Sequence, residues 1–214
     1  MSAKNVLRYF DKINTEEKAY WLGFLYADGS ISSKEDKIEL GLAEKDLHHI
    51  EKFKQSLQLS NKICYRASTK SYRISFRSQS CKQDLINKGC IPKKSLILNF
   101  PTEEQVPFYL LKHFIRGYFD GDGWFTNTPD CFQVGIIGTQ DFIQGFLNTV
   151  ENINKTNKIF SVHRENGAKR YIFGAYNDVL NFLNWIYKDS TIYLDRKYEA
   201  YLDFIQNGSK YHKK

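Results

Sequence analysis

The chain has 214 residues, of which 42% are hydrophobic and 15% aromatic, so it can bury a core as one large domain or two small ones and is not expected to be disordered. A formal charge of +7 favours a polyanionic partner, although an ordinary basic surface would also produce it. No apolar run reaches the roughly 20 residues of a membrane span, the first residues lack the apolar core of a signal peptide, and the cysteines lack metal-ligand spacing, so we expect a soluble intracellular protein with reduced thiols.

The first strong pattern in chain order is an apolar helix that ends in an acid, TEEKAYWLGFLYADG at 15–29. Thr15 is a suitable N-cap, the two glutamates after it favour the positive end of the helix dipole, and Gly29 can end the helix in a left-handed conformation. The pattern therefore predicts a helix with Asp28 in its last turn.

Strands and a further helix follow in the first half. Apolar and polar residues alternate in KIELGLA, which starts at Lys37, and again in SYRISFR, which starts at Ser71. This alternation is typical of half-buried strands. Between the two, apolar residues recur at helical spacing from Leu47 to Leu57, behind a predicted N-cap at Asp46.

The second half of the chain repeats the same series. The segment NFPTEEQVPF carries two prolines and an acidic cluster, and it predicts a linker at 99–107 between halves at 1–98 and 108–214. HFIRGYFDGDGWF then repeats the apolar helix, with Asp122 placed 94 residues after Asp28. Strand-like and helix-like segments follow it in the same order as in the first half.

Each half therefore reads helix, strand, strand, helix, strand, strand, helix. We predict an α+β fold in which two αββαββα halves are related by an approximate twofold axis and pack through their motif helices. Small residues four positions apart, Gly23 with Ala27 and Gly117 with Gly121, would let two helix backbones approach closely there.

Two acids meet at one end of this predicted helix pair. Asp28 and Asp122 would lie where both helix dipoles are negative, and two carboxylates placed there repel each other. A hard divalent cation such as Mg²⁺ would relieve that repulsion, and such a cation suits the hydrolysis of phosphodiesters. The aspartates are therefore predicted to be metal ligands.

WLGFLYADG at 21–29 and IRGYFDGDG at 115–123 resemble the signature of LAGLIDADG homing endonucleases, and the resemblance covers nearly the whole chain. Tyr26 departs from the signature at its first acid, which Asp120 keeps. The resemblance implies a monomer whose two antiparallel sheets form a DNA-binding saddle around the central motif helices. It also implies metal-dependent cleavage of both DNA strands across the minor groove, leaving 3′ overhangs.

The resemblance also implies the site residues. Asp28 and Asp122 would be catalytic and would bind Mg²⁺, for which Mn²⁺ would substitute, together with the backbone carbonyls of Ala27 and Gly121. Further catalytic positions around the metal centre are expected at Lys45, Gln140, Lys94 and Lys197. A solvated surface charge is the alternative for each of the lysines.

DNA contacts are expected from the sheets, because a curved two-stranded ribbon fits the major groove and presents every second side chain to it. The candidates in the first half are Arg66, Arg73, Ser75 and Arg77. Those in the second half are Ser161, His163, Lys169 and Arg170, where an ambiguous alternation leaves the face of each residue open.

The sequence supports two classes of function. The leading interpretation is a site-specific endonuclease that makes double-strand breaks at a long asymmetric DNA site. The alternative is a binding protein on the same scaffold, either a maturase that acts on intron RNA or a catalytically silent DNA-binding regulator. Both motif acids are present, which argues against the silent form.

Overall fold

The computed structural model describes residues 8–128, 131–151, 162–163 and 169–208. The first half contains α1 (Glu16–Asp28), β1 (Gly29–Ile31), β2 (Lys37–Ala43), α2 (Leu47–Ser56), β3 (Cys64–Arg66), β4 (Ser71–Arg77) and α3 (Gln79–Asn87). The second contains α4 (Leu111–Asp122), β5 (Gly123–Thr128), β6 (Cys131–Gly138), α5 (Gln140–Val150), β7 (Val162–His163), β8 (Lys169–Phe173), α6 (Tyr176–Tyr187) and α7 (Asp195–Asn207). The predicted αββαββα order is confirmed in each half, and α7 is an additional helix.

Each half forms one antiparallel sheet of four strands. The strand orders are β1-β2-β4-β3 and β5-β6-β8-β7, so the second sheet repeats the first. On β2, Ile38 and Leu40 are buried while Lys37 and Glu39 lie on the other face, because successive side chains of a strand point to opposite faces. None of the helices among the described residues is long and apolar enough to cross a bilayer.

The motif helices α1 and α4 pack backbone to backbone at the centre of the molecule. A Cβ built on Gly23 would lie 2.0 Å from the carbonyl oxygen of Phe114, and one built on Gly117 would lie 2.0 Å from the carbonyl oxygen of Tyr20. Phe114 and Gly117 each stand 94 residues after Tyr20 and Gly23, so the two contacts are reciprocal. The interface is therefore self-complementary about a pseudo-twofold axis.

The two ends of α1 give different outcomes for the sequence predictions. The predicted N-cap is confirmed, because the Thr15 hydroxyl accepts a hydrogen bond from the Lys18 amide at 3.3 Å. The predicted left-handed end is wrong, because Gly29 has a φ of −72° and enters β1 directly. Glycine is needed there for space, since a Cβ would lie 2.6 Å from the carbonyl oxygen of Leu25.

The start of α7 ties the second half of the chain to α2 of the first. The predicted N-cap role of Asp46 is wrong, because its side chain makes no capping bond and instead accepts a hydrogen bond from Arg196 Nε at 2.9 Å. Lys52 Nζ pairs with the carboxylate of Asp195 and donates to the carbonyl of Tyr193 at 3.2 Å. These contacts fix the residues that begin α7 against the opposite half.

A buried arginine makes a second connection between the halves. Arg116 is 0% exposed and donates to the Glu16 carboxylate at 2.6 Å, across the interface of α1 and α4. Its guanidinium also donates to the carbonyls of Ile186 at 2.7 Å and Ile192 at 2.8 Å. Because a buried guanidinium is stable only while it keeps its hydrogen-bond acceptors, Arg116 holds the elements that carry those acceptors in place around it.

Candidate functional site

The last turns of α1 and α4 bring two acids together between the sheets. Asp28 ends α1 and Asp122 ends α4, and the chain passes from each acid directly into the first strand of a sheet. A Cβ built on Gly121 would lie 2.4 Å from Ala27 Cβ and 3.1 Å from Asp28 Oδ2. The Asp28 carboxylate therefore rests against the helix turn that carries Asp122.

The electrostatic environment of this pair is unfavourable for two negative charges. Burial and the charge of Asp122 raise the pKa of Asp28 to about 6, against the opposing effect of Lys197 and Lys94. One side of Asp28 is nevertheless open to solvent. Burial also raises the pKa of Asp122, opposed by the same two lysines and by the Tyr118 hydroxyl. The pair would gain from a further positive charge between the carboxylates.

Lys94 and Lys197 occupy equivalent positions beside the acids. Lys94 Nζ donates to the carbonyl of Gly29 at 2.5 Å, and Lys197 Nζ donates to the carbonyl of Gly123 at 2.6 Å. Each of these glycines directly follows a motif acid. Lys197 is the more enclosed of the two: it also donates to the carbonyl of Phe119 at 2.5 Å, and burial lowers its pKa to about 8.

The other two predicted catalytic positions, Lys45 and Gln140, lie at exposed turns. Lys45 is exposed in the 3₁₀ turn Glu44–Asp46 that follows β2, and Gln140 is exposed at the first residue of α5. Each comes directly after the long strand of its half, as the sequence indicates. Across the residues that the structure describes, no hydrogen bond or ion pair joins either side chain to Asp28 or Asp122.

The acid that keeps the signature, Asp120, is buried and has hydrogen-bond partners of its own. Its carboxylate accepts hydrogen bonds from the hydroxyls of Tyr20 at 2.8 Å and Tyr187 at 2.5 Å. Tyr26 holds the equivalent position in the first half, and its hydroxyl donates to the carbonyl of Lys88 at 2.5 Å. Both side chains tie a motif helix to the end of the last helix of its own αββαββα unit. The departure of Tyr26 from the signature therefore changes a contact between packed helices.

A cleft of about 240 Å³ opens beside Asp122, and Ala27, Lys94 and Tyr118 help to line it. In the part of the chain that the structure describes, no three His, Cys, Asp or Glu side chains form a metal-binding group. The candidate ligands are thus two carboxylates with the backbone carbonyls of Ala27 and Gly121. This set contains oxygen only, and Gly121 places no side chain in the way, so it fits a hard cation that retains water ligands, such as Mg²⁺.

The outer face of the first sheet is the face turned away from the core. The strand register places four predicted DNA contacts on it, namely Arg66, Arg73, Ser75 and Arg77. Buried Ile74 points to the opposite face. Two arginines of this face pair with acids, Arg73 with Glu39 at 3.3 Å and Arg77 with Glu35 at 2.7 Å.

In the second sheet, the structure separates two predicted neighbours. Arg170 lies on the outer face, while Lys169 shares the face of buried Tyr171 because successive residues of β8 alternate. His163 stands opposite Lys169 in the pairing of β7 with β8. Ser161 lies outside the described residues.

Trp124 is a residue of the outer face that the sequence analysis did not identify. The guanidinium of Arg170 lies 5.5 Å from the centroid of the Trp124 ring. The sequence offered one signal, a large aromatic residue two positions after Asp122 that alternates with Phe125, which packs against the core. Its position relative to Arg170 depends on strand pairing and could not be read from the sequence.

The duplicated αββαββα architecture is the LAGLIDADG fold. The chain is similar to the meganuclease I-AabMI bound to uncleaved DNA (13% identity, 88% of this chain and 89% of that chain, TM-score 0.58) and to I-CpaMI bound to uncleaved DNA (17%, 91% and 92%, 0.56). It is also similar to full-length DUF199/WhiA from Thermatoga maritima (14%, 97% and 66%, 0.58).

Neither a protein-family model nor a curated protein sequence matches the chain. At the identities found among the solved structures, the likeness establishes the fold alone. Because meganucleases and WhiA share this fold, it does not by itself assign an activity.

Proposed function

We propose that the chain is a divalent-metal-dependent endonuclease that makes double-strand breaks in DNA at a long asymmetric site. The observation that carries the proposal is the convergence of Asp28 and Asp122 at adjoining helix ends, where burial raises the pKa of both carboxyls and each acid is followed by a lysine-bound glycine carbonyl. The DNA-bound state of similar folds supports the choice of substrate.

In this proposal Asp28 and Asp122 hold Mg²⁺ or Mn²⁺, assisted by the carbonyls of Ala27 and Gly121. When bound, such a cation stabilises charge on a phosphate and makes water a better nucleophile. Lys94 and Lys197 sit close enough to influence both acids electrostatically, so they can also offset negative charge that builds up on a phosphate. The tethers to the glycine carbonyls hold these ammonium groups in place.

The closeness of the two acids favours cleavage across the minor groove. The minor groove of B-DNA is about 6 Å wide and the major groove about 12 Å, so phosphates of opposite strands come nearest each other across the minor groove. A cut there leaves 3′ overhangs. The sheets would occupy the major groove on either side, and one chain supplies both halves, so we propose that it acts as a monomer.

The test is a cleavage selection from a randomised duplex library in Mg²⁺, followed by sequencing of the cut ends. We expect one long asymmetric site, no cutting in EDTA, and a loss on the order of 10³-fold for Asp28→Asn and Asp122→Asn, because several kcal/mol of charge stabilisation disappear. Asp203→Asn serves as the matched control, because it makes the same substitution in α7, beyond Lys197 along the helix. This variant should cut normally.

Gel shifts and Mn²⁺ titration calorimetry on the same variants separate an enzyme from a binding protein. The Asn variants should bind the selected site as tightly as the wild type while their affinity for Mn²⁺ falls. Cleavage that persists in EDTA or in both Asn variants would contradict the proposal. Tight site-specific binding without cleavage by the wild type would favour the binding-only alternative.

A further inference from the structure

Trp124 is fixed on the outer face of the second sheet. It stands directly opposite Gly135 in the pairing of β5 with β6, and the neighbours of Gly135, Val134 and Ile136, are buried on the core face. A Cβ built on Gly135 would lie 2.1 Å from Trp124 Cζ2, so the indole ring lies across the adjacent strand. Because Gly135 has no side chain, the indole ring can pack directly on the backbone of β6.

Arg170 packs against this ring, and no described carboxylate neutralises it. Its guanidinium lies 5.5 Å from the ring centroid, within the range of a cation–π contact. Its Nε is buried without a hydrogen-bond partner, and within residues 8–128, 131–151, 162–163 and 169–208 no carboxylate pairs with it. Arg73 and Arg77 of the first sheet, by contrast, both pair with glutamates.

The pair forms one wall of a hollow on the outer face. The hollow has a volume of about 320 Å³ and is lined by Trp124, Gln133, Ile137 and Arg170. It therefore offers an aromatic ring, an aliphatic side chain, an amide and a guanidinium. A base edge in the major groove matches this combination, and guanine is the base whose O6 and N7 accept two hydrogen bonds from one arginine.

We infer that Arg170 reads a guanine and that Trp124 is the residue that positions it. The inference rests on the proposed function and names a specificity contact of the same DNA-binding surface. An arginine held on an aromatic face loses less side-chain freedom when it binds, so the ring raises discrimination without touching the base. Because Trp124 is two residues from Asp122, the guanine lies near the cut.

The experiment compares base preferences obtained by selection with the wild type, Arg170→Ala, Trp124→Phe, Trp124→Leu and the double variant Arg170→Ala with Trp124→Leu. We expect Arg170→Ala to lower the preference for one guanine by roughly 10- to 100-fold. Trp124→Leu should relax the same position, the double variant should resemble Arg170→Ala, and Trp124→Phe should keep most of the preference. Arg77→Ala should act at a different base pair.

Comparing Trp124→Phe with Trp124→Leu shows whether the ring positions Arg170 or only covers the sheet. Both substitutions keep an apolar side chain, but only Trp124→Phe keeps an aromatic ring. The inference would be overturned if the two variants had equal base preferences, or if Arg170→Ala and Trp124→Leu acted at different base pairs. Either result would leave the proposed function intact. Selection by gel shift gives the same readout if the protein binds without cutting. A wild type that binds no DNA would overturn both.

Discussion

A carboxylate at the C-terminal end of a helix faces the negative end of the dipole, and Asp28 and Asp122 both do so side by side. Burial raises the pKa of each, and for Asp28 the charge of Asp122 adds to that effect. Lys94 and Lys197 offset part of this repulsion and are both tethered to backbone carbonyls. We therefore expect the two ionised acids to destabilise the metal-free fold, as charges arranged for binding commonly do.

Replacing Asp28 by Asn should stabilise the metal-free protein near neutral pH. The pKa of Asp28 is about 6 in the folded chain and ordinarily 3.8, so between these values the folded state holds the proton and the unfavourable contribution of Asp28 to stability shrinks as the pH falls toward 4. Discounted for solvent screening at this open side chain, the gain for Asn at pH 7.5 is about 1 kcal/mol, or about 2–4 °C in Tm.

Melting curves in EDTA from pH 7.5 to pH 4 provide the measurement. The gap between the Asn variant and the wild type should narrow steadily below pH 6, because the wild-type carboxyl then becomes neutral as well. A gap that is constant over this range would mean that Asp28 does not carry the shift.

Tyr26 and Asp120 occupy equivalent positions with opposite hydrogen-bonding roles. The Tyr26 hydroxyl donates to the Lys88 carbonyl, whereas the Asp120 carboxylate accepts from Tyr187. Restoring the signature acid by Tyr26→Asp would remove the hydroxyl that donates to the Lys88 carbonyl, leave the space of the ring unfilled and bury a short carboxylate in its place. We expect a loss of about 3 kcal/mol or more in the free energy of unfolding, compared with about 1 kcal/mol for Tyr26→Phe.

Urea denaturation of both variants measures these losses, and cleavage assays at a temperature where both are folded complete the test. Tyr26→Phe should cut at the wild-type rate, since residue 26 makes a packing contact. A large loss of cleavage by folded Tyr26→Phe would instead place the hydroxyl in the catalytic machinery.

At the scale of elements, the sequence allowed the strands and motif helices to be predicted because their patterns are local. Ile38 and Leu40 alternate with polar residues, and the register of β2 with β4 follows from which face must be buried. The contacts of α7 are different in kind: Arg196 meets Asp46, which is 150 residues away. No local pattern encodes such a pairing, and only the family resemblance indicated the place of Lys197.

The two wrong predictions at helix ends have different physical causes. Gly29 satisfies the composition rule for a left-handed terminus, yet the chain needs glycine there because the Leu25 carbonyl is too close for a Cβ. Asp46 satisfies the rule for an N-cap, yet Arg196 takes its carboxylate. At Asp46 a tertiary contact overrides the local preference, whereas at Gly29 the direct passage of the chain from α1 into β1 does so.

The helix pair α1 and α4 gives a sharp test of close packing. Gly117→Ala would place a Cβ 2.0 Å from the carbonyl oxygen of Tyr20, and the backbone of α1 would have to move. We expect a loss of about 3 kcal/mol or more in the free energy of unfolding. In Gly41→Ala the new Cβ meets nothing closer than 3.7 Å, so this matched control should lie within about 0.5 kcal/mol of the wild type.

Chemical denaturation monitored by circular dichroism compares the two variants. The reciprocal change, Gly23→Ala, should cost about as much as Gly117→Ala because its contact with Phe114 is equivalent. Similar stabilities for Gly117→Ala and Gly41→Ala would contradict the backbone-to-backbone packing of the motif helices.

At the scale of the whole molecule, the formal charge of +7 is less informative than its distribution. On the first sheet, Glu35 and Glu39 pair with the arginines predicted to contact DNA. The Arg77–Glu35 pair is exposed, so it contributes little to stability, and we expect it to rearrange when phosphates approach. We therefore expect these glutamates to lower the affinity of the first sheet for polyanions.

The charge distribution leads to a prediction that net charge alone does not make. Glu35→Gln frees Arg77 and removes a carboxylate beside the proposed DNA path. Glu103→Gln is the control, because it makes the same change of charge in the linker before α4. We expect Glu35→Gln to tighten binding to the selected duplex by about 3- to 5-fold at low salt and Glu103→Gln to change it little, because close charges dominate in a screening solvent. Fluorescence anisotropy at several salt concentrations measures both, and the difference should shrink as salt rises. Equal tightening by the two variants would mean that DNA responds to total charge and that the first sheet is not its binding face.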